Sequence, residues 1–87
     1  MEIFYRSSFV RQLNKLPRDL QDEVFEKIEE FKNSKNHVRL RVHKLNGKLA
    51  GLHSFSVDYR NRVVFEWQDK NKTSAALLAV GDHDVYR

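Results

Sequence analysis

Histidine, arginine and lysine are the side chains of this sequence with chemistry to offer. The histidines are His37, His43, His53 and His83, and there is no cysteine. Thiol nucleophiles, thiolate metal sites and disulfides are therefore excluded, which fits a reducing compartment. An unperturbed imidazole titrates at about 6.5, so it can take or give a proton near neutral pH. A guanidinium presents a planar fork of donors that pairs two phosphate oxygens. The histidines lack the close spacing with carboxylates of a zinc site, and neither a glycine-rich phosphate loop nor a nucleophile elbow is present. No metal and no cofactor are expected. A lone histidine is more often a surface or satisfied polar residue, and His37 and His53 are read that way.

The charged residues are segregated. From 16 to 34 the acids Asp19, Asp22, Glu23, Glu26, Glu29 and Glu30 outnumber the bases Arg18, Lys27 and Lys32. From 35 to 62 the bases Lys35, Arg39, Arg41, Lys44, Lys48, Arg60 and Arg62 face a single acid, Asp58. With a formal net charge of +4, that block reads either as a footprint for a polyanion or acidic protein, or as a solvated surface offset by an acidic helix.

The elements that must position these groups follow from periodicity. Ile3, Phe4 and Tyr5 favour a short first strand. Ser7 or Ser8 can cap a helix that turns Phe9, Val10 and Leu13 inward and stops near Leu16. Pro17 suits the first position of a second helix. There Leu20, Val24, Ile28 and Phe31 recur at intervals of four, four and three, which gathers them on one face. Asn33 to Asn36 ends that helix. Phe55, Val57 and Tyr59 alternate with Ser54, Ser56 and Asp58, so one strand face is apolar and the other polar. Arg60 and Asn61 suit a turn. The next strand puts Val63, Phe65 and Trp67 opposite Arg62, Val64 and Glu66. After a turn at Asp69 to Lys72, Ala75 to Val80 reads as a central strand. Phe55, Tyr59, Phe65 and Trp67 could stack bases, but their alternation favours a core. The expected class is α+β: an N-terminal strand and a two-helix hairpin packed on one face of a twisted, mainly antiparallel four-stranded sheet, with 1–87 forming one domain. The other face should be exposed, basic and hydroxyl-bearing. No run approaches an export signal or a membrane span, so a cytoplasmic protein without a membrane partner is expected.

That order of elements resembles the RelE/ParE superfamily of toxins. The matching segments are His43-Lys44-Leu45-Asn46-Gly47, Gly51-Leu52, Asp58 to Phe65, and Leu77-Leu78-Ala79-Val80-Gly81-Asp82-His83-Asp84-Val85-Tyr86, so the likeness spans essentially the whole chain. It implies a toxin of a type II toxin–antitoxin system, silenced by a cognate antitoxin. RelE-like members cut messenger RNA, usually on the ribosome; ParE-like members inhibit DNA gyrase without cutting RNA. Arg62 matches the phosphate-binding arginine of RelE-like toxins, and Tyr86 falls where RelE has a catalytic tyrosine. His43 and His83 resemble two histidines of the YafQ branch. Ser56 and Arg60 depart from that branch, where a histidine and an aspartate are expected. The resemblance thus implies a metal-independent endoribonuclease with His43 as base, His83 as acid and Arg62 as phosphate clamp. Arg60 would assist, and Arg39, Arg41, Lys44 and Lys48 would hold the RNA backbone. A non-catalytic gyrase inhibitor, or an inactive member that only binds an antitoxin, are the alternatives.

Overall fold

The computed structural model describes residues 1–82. Strand β1 (Glu2–Tyr5) leads into helices α1 (Ser7–Asn14) and α2 (Arg18–Phe31), followed by β2 (His43–Lys44), β3 (His53–Ser56), β4 (Arg62–Trp67) and β5 (Ser74–Gly81). The strands form one sheet in the order β1-β5-β4-β3-β2, with β1 parallel to β5 and every other pair antiparallel. The sheet therefore has five strands where four were expected. The extra one is the two-residue β2, too short to show any periodicity in sequence. Among the described residues no helix is long and apolar enough to cross a membrane.

The α2 stripe docks as its spacing predicts. Val24, Ile28 and Phe31 are buried, and Leu20 packs at the margin of the core. Each fully buried side chain contributes roughly 1.5–3 kcal/mol. Phe31 is the hinge of this packing, stacking on Phe55 at 4.5 Å and Trp67 at 5.6 Å and meeting Phe65 edge-on at 4.7 Å. Pro17 sits one place earlier than expected, as the residue before the helix. The serine cap of α1 is not formed: Arg6 occupies the cap position without a side-chain bond, and Ser8 Oγ donates instead to Leu78 O at 2.6 Å.

That displaced serine serves a β-bulge. Val64 pairs with Ala79 but Phe65 pairs with Leu77, so Leu78 is an extra residue in β5. A bulge frees backbone groups that must find other partners. Ser8 takes the Leu78 carbonyl, and Gln12 Oε1 accepts from Val80 N at 2.9 Å. The bulge also shifts the phase of the strand. Leu77 and Val80 both enter the core under the helices, and Gly81 is delivered opposite Arg62. Simple alternation would not place them so.

Two further expectations change. Tyr59 is 84% exposed at a hairpin tip instead of lying on the apolar face of β3, which ends at Ser56. The far face is also less open than expected, because Val64 is 2% exposed and Ser54 is fully buried.

Candidate active site

The loop from 45 to 52 is what places His43 against the sheet. Gly47 (φ 66°) and Gly51 (φ 92°) adopt left-handed backbone that other residues reach only with strain. Leu45 N donates to Leu52 O at 2.9 Å and closes the loop. Strand β2 is thereby registered on β3, with His43 opposite Ser54 and Lys44 opposite His53. Since Ser54 faces Val64 and Ser56 faces Arg62 across the next pair, His43, Ser54, Ser56 and Arg62 share one side of the sheet. His43 and Arg62 stand two strands and two residues apart, roughly 12 Å between Cα atoms at standard sheet spacings. Their side chains can therefore reach a common phosphodiester.

The ring of His43 is held by its own strand entry. Nδ1 lies 2.7 Å from Arg41 O, and a carbonyl only accepts, so Nδ1 carries the hydrogen. In the neutral ring Nε2 then bears the lone pair, and the residue is exposed. Arg41 presents that carbonyl from a left-handed conformation (φ 58°), which costs a non-glycine residue on the order of 1 kcal/mol. Strain of this kind persists where the surrounding structure imposes it, here through Arg41 N to Val38 O and Val42 N to His37 O.

Arg62 is anchored by the β3–β4 turn. Its Nη1 donates to Asp58 O at 2.6 Å and Asn61 O at 3.1 Å, while Nε and Nη2 make no hydrogen bond among the described residues. The turn is braced by the Asp58 carboxylate, which accepts from Arg60 N (2.8 Å), Asn61 N (2.7 Å) and Asn61 Nδ2 (3.1 Å). Burial alone would raise the Asp58 carboxyl, but the amides of Asn61 and Arg60 and the nearby Arg62 charge outweigh it and hold it below the usual carboxylate range. The result is a rigid tip with Tyr59 and Arg60 projecting outward.

The remaining sequence candidates divide. Arg41 and Lys48 are exposed around the 41–52 segment. Lys44 alternates away from His43, onto the side of His53. Arg39 is not brought to the site: its Nη1 pairs with Glu30 of α2 at 2.5 Å and its Nη2 donates to Asn36 at 3.1 Å. His83 and Tyr86 lie outside the described residues. Among the described residues no group of three or more His, Asp or Glu is placed to hold a metal ion.

The other two histidines differ from each other. His37 is satisfied, donating from Nε2 to Phe31 O at 2.8 Å and stacking on the Phe31 ring at 4.9 Å. His53 is half-buried, and its Nδ1 is sealed from water without a hydrogen-bond partner among the described residues. Burial first, and then the positive charges of Lys72, Lys44 and His43, hold His53 below the ordinary histidine range. Nothing in the sequence marks it, because its isolation depends on the β2 pairing and on a turn 19 residues further along.

No protein-family model matches the chain, and no curated protein sequence does. Solved structures do. The toxin–antitoxin complex RelBE2 from Mycobacterium tuberculosis has a TM-score of 0.75 at 23% identity, covering 94% of this chain and 96% of that chain. The YoeB/ParE toxin from Agrobacterium tumefaciens has a TM-score of 0.75 at 14% identity, covering 95% and 99%. YafQ from E. coli has a TM-score of 0.72 at 12% identity, covering 98% and 96%. This chain has their fold over nearly the full length of both partners.

Proposed function

We propose that this protein is the toxin of a type II toxin–antitoxin pair in the RelE/ParE superfamily, acting as a metal-independent endoribonuclease on messenger RNA. The observation that carries the reading is the pinned ring of His43, whose Nε2 is left as a base on the same side of the sheet as Arg62. In the proposed step Nε2 takes the proton of a ribose 2′-hydroxyl. The 2′-oxygen bonds to phosphorus, the bond to the 5′-oxygen breaks, and the leaving oxygen is protonated by His83. The products carry a 2′,3′-cyclic phosphate and a free 5′-hydroxyl. The Nε–Nη2 edge of Arg62 neutralises the phosphorane, with Arg60 beside it, and Tyr86 is a second candidate for proton transfer. Arg41, Lys44 and Lys48 steer the backbone of the RNA.

The cognate antitoxin is an acidic or amphipathic segment that covers this basic face. Toxin–antitoxin assemblies among the similar folds, such as RelBE2 and the YoeB–YefM complex of Staphylococcus aureus, support the inference. Induced expression in growing bacteria tests the target. Protein synthesis should fail before plasmid supercoiling changes. Early loss of negative supercoiling would favour a gyrase inhibitor. Undisturbed growth would leave a protein that only binds its antitoxin.

A further inference from the structure

On the side of the sheet away from Arg62, at the β2 edge, lies an open hollow of about 300 Å³. It is assembled from distant parts of the chain: Lys44 of β2, His53 of β3, Trp67 of β4, Lys72 of the β4–β5 turn, and His37 with Val38 from the segment after α2. His43 borders it at the sheet edge. Among the described residues no acidic side chain lines it. We infer that this hollow is a nucleotide-binding subsite that receives one base and its phosphate from the RNA strand running past His43. The inference rests on the reading of the chain as a protein that acts on RNA.

The lining matches a nucleotide in kind. Trp67 and the two imidazoles offer flat π surfaces, and such surfaces stack bases with little regard for sequence. Lys44 and Lys72 supply the cations a phosphate needs. The backbone that carries Lys72 is held in place: it is left-handed (φ 58°), in a turn closed by the Asp69 carboxylate on Thr73 N (3.0 Å) and Ser74 N (2.9 Å). The half-buried His53, kept uncharged by its surroundings, can exchange a neutral hydrogen bond with a base edge. Its ring lines the hollow, and its Nδ1 is the buried nitrogen. Val38, 91% exposed, provides an apolar lip. A volume near the lower end of small-ligand sites, roughly 300–1,000 Å³, admits a single nucleotide and not a packed peptide helix. An acidic peptide would use the lysines but not the rings.

Trp67 is the only tryptophan, so its emission reports on the hollow directly. The probe is a short single-stranded RNA with 2′-O-methyl riboses, which cannot be cut. Binding should quench Trp67. The double variant Lys44→Gln/Lys72→Asn, asparagine being tolerant of left-handed backbone, should bind at least about fivefold more weakly. Its salt dependence should be shallower by about 1.4, at about 0.7 per phosphate contact in a single strand. The control Arg11→Gln/Lys15→Gln removes the same charge from exposed positions around the end of α1 and should bind as wild type does. An unchanged emission, equal weakening of both double variants, or equal quenching by a polyglutamate peptide would overturn the subsite. Cleavage of unmodified RNA by the same wild-type preparation separates the two readings. Cutting with a silent Trp67 overturns the subsite alone, and quenching without cutting overturns the nuclease alone.

Discussion

Strands β2, β3 and β4 present two sides that are held in place by different means. On one side His43 and Arg62 are aimed by backbone carbonyls close to them in sequence, those of Arg41, Asp58 and Asn61. On the other, Phe55, Phe65 and Trp67 are fixed by packing against Phe31 of α2, and His53 lies against Phe65 and Trp67. The first side depends on loop geometry and the second on the core. Polar groups placed by local carbonyls can be altered without dismantling the fold, whereas the aromatic side cannot lose a ring without loss of stability. A chain of 87 residues has little stability to spare, so this division lets the polar side vary.

The contrast can be broken most forcefully from the packed side. Phe31→Ala removes a fully buried ring that touches four others, and it should cost about 3–5 kcal/mol in urea or guanidinium unfolding. Retention of wild-type stability would show that the rings do not organise that side. Asp58→Asn attacks the polar side at its brace, weakening the bonds to Arg60 and Asn61, and should cost about 1–2 kcal/mol. Because the folded carboxyl lies below its unfolded value of about 3.9, its stabilisation is complete above that pH and disappears as pH falls through the folded value. Acid unfolding of the variant should lack this component.

A finer test concerns His53. The folded ring takes up a proton less readily than the unfolded chain, which accepts one at about 6.5, so stability should decline as pH drops below that value. In His53→Gln this slope, followed by unfolding at pH 5 and pH 7, should flatten. The smallest effect is expected at Arg39→Ala. Its largely exposed pair with Glu30 is worth at most about 1 kcal/mol, and RNA affinity should not change. A clear fall in affinity would place Arg39 among the RNA contacts after all.

Much of the fold was legible because it rests on repeating patterns. The Leu20-Val24-Ile28-Phe31 stripe and the turn at Arg60-Asn61 are local signals, and both elements are present. Features without a period were missed. Strand β2 is two residues long, and the bulge at Leu78 moves Val80 and Gly81 by one position, with no mark in their residue types. The site was legible only in its residue types. That Arg39 is diverted to Glu30, that Arg41 carries the strained backbone behind His43, and that His53 is sealed all depend on contacts between distant segments. Asp69 to Lys72 was read as a turn, and the structure adds that Lys72 lines the hollow beside His53.

The decisive experiment is single-turnover cutting of an unstructured RNA by purified wild-type protein and by His43→Ala, both in excess chelator. Wild type should yield fragments ending in 2′,3′-cyclic phosphate. Loss of one proton-transfer group should slow the variant by roughly 10²–10⁴-fold while its unfolding midpoint stays put, since His43 is exposed and outside the core. Equal rates for the two proteins would contradict the assignment of His43 as the base.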